Sequence, residues 1–101
     1  MEIGVSGKER DLHLQLKGEL DHHGAKGLMS RLDREIEAAL PVRLVLDFSG
    51  VSFMDSSGIA VVMRCRQRMR ELGGSVTLQG VQQQPRRVFE ASGVARIVAM
   101  R

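Results

Sequence analysis

Leu12, Leu14 and Leu16 alternate with polar residues, the period of a strand with one buried face, and Ile3 with Val5 predicts a shorter strand before it. Gly7 and Lys8 stand where a hairpin turn would join the two. From Ala25 the period lengthens. Leu28, Leu32, Ile36, Ala39 and Leu40 recur every three to four residues, which gives one apolar helix face, and Pro41 ends it. The run "VRLVLDF", 42–48, is apolar without alternation and reads as a strand buried on both faces. A helix is predicted from Gly58 to Leu72, with Val61, Val62, Met69 and Leu72 apolar and Gly73-Gly74 as its stop. A strand at Val76 to Leu78, a short helix opening at Pro85 and running to Ser92, and a last strand at Ile97 to Ala99 complete the series.

After the opening hairpin the order is strand, helix, strand, helix, strand, helix, strand, which predicts an α/β layer fold with helices covering a sheet. With 101 residues and no repeat, linker or low-complexity segment, residues 1–101 are expected to form one domain. Hydrophobic residues at 43% and charged residues at 27% suit a folded soluble protein and argue against disorder. Aromatic residues are only 3%, with no Trp or Tyr, so the core must be aliphatic and methionine-filled. The same scarcity argues against a platform on which nucleic-acid bases stack. The N-terminus lacks the basic and apolar segments of a signal peptide and no apolar run reaches membrane-spanning length, so a cytoplasmic protein is expected. Cys65 stands alone, which excludes an internal disulfide and a cysteine metal cluster; it reads as a small buried helix residue.

Charge is uneven along the chain. Residues 51–101 carry eight arginines against three acidic residues, a surplus of +5 within a net +3 for the whole chain. Such a surplus suits an anionic partner. Yet Arg64, Arg66, Arg68 and Arg70 fall at every second position of a predicted helix and spread around it, so a solvated surface is the simpler expectation.

The candidate chemistry lies in "FMDSSG", 53–58. In open α/β sheets functional groups gather where strands turn into helices at their carboxyl ends, and Asp55-Ser56-Ser57-Gly58 is such an entry. With Gly58 as first helical residue, Ser57 is placed to cap the helix. Ser56 would stand just outside with its hydroxyl free, and the nearby glycine leaves room for a large modifying partner. A phosphate there would be tolerated by the positive end of the helix dipole while repelling any acidic surface brought against it. These residues leave two readings open: a regulatory serine, or a plain double-serine cap.

Other chemistries fit less well. A serine nucleophile in the G-x-S-x-G turn needs glycine two residues earlier, where Met54 and Asp55 stand instead. Asp21-His22-His23 supplies adjacent metal-ligand types without a further cluster, so these are expected to be loop residues facing solvent or a partner, with no metal. No G-x-x-x-x-G-K-[ST] phosphate loop is present.

"KGELDHHGA", 17–25, then "LVLDFSGVSFMDSSGIAVVMRCRQRMRELGG", 44–74, then "VFEASGVARIV", 88–98, together resemble the anti-sigma factor antagonists of the STAS domain family, most nearly the sporulation branch that acts on the anti-sigma F kinase. The resemblance spans essentially the whole chain. It implies the STAS fold, a mixed central sheet of about four or five strands covered by helices. It also implies a partner-switching module that is not an enzyme and carries no cofactor. In that scheme the unphosphorylated protein binds an anti-sigma factor serine kinase, which holds ATP or ADP, and so frees a sigma factor. The kinase then phosphorylates the antagonist and releases it, and a PP2C-type phosphatase resets it. The family's modified residue is the first serine after the aspartate, which falls on Ser56, leaving Ser57 as the inferred cap. The implied partner surface comprises Asp21, His22, His23, Asp55, Ser56, Ser57, Gly58 and Ile59, with neither nucleic acid nor membrane as direct partner. A STAS module of another pathway, such as a stress-response antagonist or a lipid-transport accessory subunit, is the alternative. A serine-nucleophile enzyme is a more distant one.

Two departures from the family pattern stand out. Gly24 occupies a place where relatives often carry Thr, Ser or Asn, which predicts a weaker cap on the first helix. Many relatives also continue into a final helix beyond the equivalent of Arg101, which predicts exposure of Ile97 or Val98.

Overall fold

A computed structural model describes all residues from Met1 to Arg101. Two strands, β1 (Glu2–Lys8) and β2 (Asp11–Lys17), form an antiparallel hairpin. The turn falls at Glu9-Arg10 instead of Gly7-Lys8, since Gly7 and Lys8 still pair with Leu12 and Asp11. The chain continues through α1 (Leu28–Ala39), β3 (Arg43–Gly50), α2 (Ser56–Glu71), β4 (Ser75–Gln79) and α3 (Gln83–Ser92). A single 3-10 turn, Val94–Arg96, then leads into β5 (Ala99–Met100). The last strand is thus later and shorter than the expected Ile97 to Ala99.

The five strands lie in chain order, with β2 to β5 mutually parallel. Each strand-helix-strand unit therefore steps the same way across the sheet, and crossovers of one hand put every helix on the same face. That face is apolar: Leu12, Leu14 and Leu16 of β2, Leu44, Leu46 and Phe48 of β3, and Val76 and Leu78 of β4 are all buried in one cluster. Leu32 and Ile36 of α1, Val62 and Met69 of α2, and Phe89 of α3 complete it. Phe48 and Phe89 meet edge to face, their ring centres 5.5 Å apart, an arrangement that aromatic quadrupoles favour.

The expectation that 42–48 is buried on both faces needs correction. Val45 is 7% exposed but lies outside the cluster, on the face without helices, where its register partners are His13 and Thr77. Side chains of adjacent strands, not a second layer, shield it. The helices thus cover one face of the sheet only.

Other expectations meet mixed outcomes. α1 begins at Leu28 because residues 21–27 form turns. Leu40 ends α1 in the left-handed region with buried Pro41 behind it. α3 opens at Gln83, two residues before Pro85. Ile97 is half exposed, whereas Val98 is buried. The arginines of α2 are not all solvated. Arg68 donates to Glu37 at 2.7 Å and lies 3.8 Å from Asp33, so the charges of α2 engage the acidic residues of α1. Cys65 is buried beneath them, and burial pushes its thiol up to about 12. No helix is long and apolar enough to cross a membrane.

Candidate functional site

Two loops at the carboxyl ends of β2 and β3 are clasped to each other. Leu20 N–H donates to the Phe53 carbonyl at 2.9 Å and Asp55 N–H donates to the Leu20 carbonyl at 3.2 Å, which makes a one-residue parallel bridge of Leu20 and Met54. Both residues are fully buried, so this short ladder is anchored from below by the core. The "GELDHH" and "FMDSSG" segments, far apart in the chain, are therefore joined directly to each other.

The cap assignment made from the sequence is overturned here. α2 begins at Ser56, two residues before Gly58, and its N-cap is Asp55, in an extended conformation. Asp55 Oδ1 accepts from Ser57 N–H at 2.8 Å. Ser57 is the second helical residue and supplies the donor that is capped, so it is not the cap. Aspartate at this position is as good a cap as serine, and its charge complements the helix dipole.

The second carboxylate oxygen reaches the other loop. Asp55 Oδ2 accepts from His22 N–H at 3.2 Å. The Ser57 amide, with lesser help from the Ser57 side chain and then His22, holds the Asp55 carboxyl below the usual aspartate range. Asp21 organises its own turn, its Oδ1 accepting from Gly24 N–H at 2.7 Å. Glycine at 24 is a steric requirement: a Cβ there would lie 2.0 Å from the Glu19 carbonyl oxygen. Gly24 thus closes the turn that precedes α1. The cap position of α1 is Gly27, with no side-chain bond.

Ser56 is exposed at the first turn of the sixteen-residue α2, and no intramolecular hydrogen bond engages its hydroxyl. Ser57 is half-buried and turns toward a groove of about 550 Å³ between α1 and α2, shared with His22, Ala25, Met29, Ala60 and Arg64. Gly58 is buried, because its α-carbon sits under Met54: a Cβ would come within 2.7 Å of Met54 Sδ. Ile59 lies on the opposite flank of α2, in a shallow apolar groove against Val88 and Ala91 of α3. His23 does not join His22; it lines a separate depression with Met1 and Arg31. The structure thus draws His22, Asp55 and Ser57 together around exposed Ser56 and leaves His23 and Ile59 on the outskirts.

One residue of the site escaped sequence reading. Gln84, at the start of α3, accepts from Met54 N–H at 2.8 Å and donates to the Met54 carbonyl at 2.9 Å. Its amide thereby satisfies both main-chain groups of the buried residue just ahead of the Asp55 cap. The repeated glutamines at 82–84 gave no signal of this, because nothing local distinguishes a clasping side chain from a solvated one.

With the clasped loops and capped helix in place, comparison with known proteins assigns the lineage. The STAS domain family model matches residues 2–101. The chain belongs to the STAS domain family. Among its STAS relatives, the anti-sigma F factor antagonist of Paenibacillus polymyxa is 30% identical over 87 residues, covering 86% of this chain and 74% of the relative. The anti-sigma-B factor antagonist of Bacillus subtilis (strain 168) is 28% identical over 96 residues, covering 95% and 86%. The solved STAS structure of the anti-sigma factor antagonist SpoIIAA in its unphosphorylated form superposes with a TM-score of 0.84 at 24% identity, over 99% of this chain and 88% of that one. An anti-sigma factor antagonist from Mycobacterium paratuberculosis superposes at 0.85 with 20% identity, over 98% and 83%. The five-stranded mixed sheet with three helices is the STAS fold expected from the sequence.

Proposed function

We propose that this STAS protein is a phosphorylation-controlled anti-sigma factor antagonist and not an enzyme. Unphosphorylated, it binds an anti-sigma factor kinase, which holds ATP or ADP, and so releases a sigma factor. Phosphate transfer to Ser56 ends that binding, and a PP2C-type phosphatase restores it. The observation that carries this reading is the separation of tasks at the head of α2. Asp55 secures the helix start, which leaves the Ser56 hydroxyl exposed and without an intramolecular bond. Relatives named as antagonists of anti-sigma F and anti-sigma-B factors support the general role.

The energetic logic is local. A phosphoserine carries about −1.5 to −2 charges at neutral pH. At the first turn of α2 it meets the positive end of the helix dipole, so the fold accommodates it. The Asp55 carboxylate beside it and Asp21 across the clasp enlarge the negative field. A partner surface that packs against exposed Ser56, the groove beside Ser57 and His22, and the flank at Ile59 must then desolvate that charge or withdraw. The proposed contact surface keeps Asp21, His22, His23, Asp55, Ser56, Ser57 and Ile59; Gly58, buried under Met54, supports it from beneath and makes no contact itself.

The test is incubation with the anti-sigma kinase of the same organism and ATP, followed by mass spectrometry. One added phosphate on Ser56 and none in Ser56→Ala is the expected result. Modification of Ser57 instead would overturn the assignment.

A further inference from the structure

We infer that β1 is a self-association edge, on which a second copy of this chain pairs antiparallel about a dyad at Val5. The two edges of the sheet are treated differently. β5 offers only two residues, whereas β1 offers seven in unbroken register with β2. An edge strand is normally protected by proline, a bulge or central charges. Between Glu2 and Lys8, β1 has none of these: its interior reads Ile3-Gly4-Val5-Ser6-Gly7, and Val5 is 51% exposed.

The hairpin fixes which groups face outward. In a two-residue hairpin the residues flanking the turn, here Lys8 and Asp11, form a hydrogen-bonded pair, and hydrogen-bonded pairs recur at every second position. Ser6, Gly4 and Glu2 therefore also bond to β2. Gly7 agrees with this phase, since a Cβ placed on it would lie 2.2 Å from the Asp11 carbonyl oxygen and 3.3 Å from the His13 nitrogen, two groups aimed at β1. Ile3 and Val5 are left with N–H and C=O groups directed away from the sheet, while Gly7 lies on the same edge at a left-handed φ of 111°.

An antiparallel copy bonds chiefly through Ile3 and Val5, and one register outranks its neighbours. Centred on Val5, it pairs Val5 with Val5, Ile3 with Gly7, Gly4 with Ser6, and Glu2 with Lys8 of the second copy. The Glu2–Lys8 pair occurs twice by symmetry, once at each end. A shift of the centre to Gly4 leaves Lys8 unmatched, and a shift to Ser6 sets Glu2 against Arg10 of the turn, outside the strand and already bonded to the Leu40 carbonyl. Opposite charges directly across an antiparallel pair stabilise it, and like charges destabilise it. The Val5 side chains, on the helix-bearing face with Leu14, meet across the dyad and extend the apolar layer. The two Ser56 loops then lie toward opposite ends of a continuous sheet, both open to a partner.

Sedimentation velocity over a concentration series, on the full chain, tests this. A monomer–dimer equilibrium is expected, weakened roughly tenfold or more by Glu2→Lys or by Lys8→Glu, each of which sets two like-charged pairs face to face across the dyad and one more in each copy across the hairpin, against Lys17 or Asp11. The double exchange Glu2→Lys/Lys8→Glu restores association. Circular dichroism verifies that each variant is folded, and amide exchange at Ile3 and Val5 slows as concentration rises. A monomer at every concentration up to about 1 mM would overturn the inference. So would a double exchange as weak as the single ones, or exchange at those amides that ignores concentration.

Discussion

Asp55 caps the helix that Ser56 begins, accepting the Ser57 amide with one carboxylate oxygen and the His22 amide with the other. One side chain therefore starts α2 and ties it to the loop after β2. Asp55→Ala is expected to lower the urea midpoint clearly, whereas Ser57→Ala stays within about 0.5 kcal/mol of the parent protein. Equal losses at the two positions would contradict the reassigned cap.

The same carboxylate sets a pH dependence. Its pKa in the folded protein lies below the ordinary 3.8, so the unfolded chain takes up the proton first as pH falls. Its stabilising contribution is therefore complete above about pH 5, where both forms are ionised, and is lost as pH drops through 3.8 toward the depressed native value. Asp55→Asn keeps the capping acceptor but cannot titrate. Chemical denaturation between pH 6 and about pH 2.5 should show the parent losing more stability than the variant.

Gln84→Ala removes both partners of the Met54 main chain and should destabilise by about 1–3 kcal/mol. Gln84→Glu should recover little, since an ionised carboxylate has no proton to donate to the Met54 carbonyl. Urea unfolding gives the magnitudes, and amide exchange at Met54 to Ser56 should quicken ahead of the rest of the chain.

Placing a conventional capping residue at position 24 is expected to harm this chain. Gly24→Ser or Gly24→Thr puts a Cβ against the Glu19 carbonyl oxygen, a main-chain atom that no rotamer change can clear. A loss of about 1–3 kcal/mol is expected by thermal or urea melting, and a gain would show that the turn refits easily.

Cys65 should be inert to thiol reagents in the native protein. The thiolate is the reactive species, and with the thiol pushed up to about 12 almost none is present at neutral pH. Labelling by a disulfide reagent should await unfolding.

How much of this was legible beforehand follows from which interactions are local. Alternation at Leu12, Leu14 and Leu16 and the helical spacing of Leu28, Leu32 and Ile36 are read directly from periodicity, and both sets are buried as expected. The apolar run around Val45 misled because a residue hidden by its strand neighbours looks like one hidden beneath a helix. One-sided covering depends on strand order, which no single segment contains. At the head of α2, Asp55, Ser56 and Ser57 are all competent caps, and a shift of two residues in the helix start moved the role from serine to aspartate. The Leu20–Met54 bridge and the Gln84 clasp depend on pairings across thirty or more residues, beyond the reach of local pattern.

The most direct test of the switch is calorimetric titration of the anti-sigma kinase, with ADP bound, into three forms of this protein: unmodified, enzymatically phosphorylated, and Ser56→Asp. The account predicts tight binding by the unmodified form, a loss of at least about a hundredfold (roughly 2.7 kcal/mol) on phosphorylation, and a substantial loss in Ser56→Asp, with circular dichroism unchanged throughout. Equal affinity of the phosphorylated and unmodified forms would contradict it.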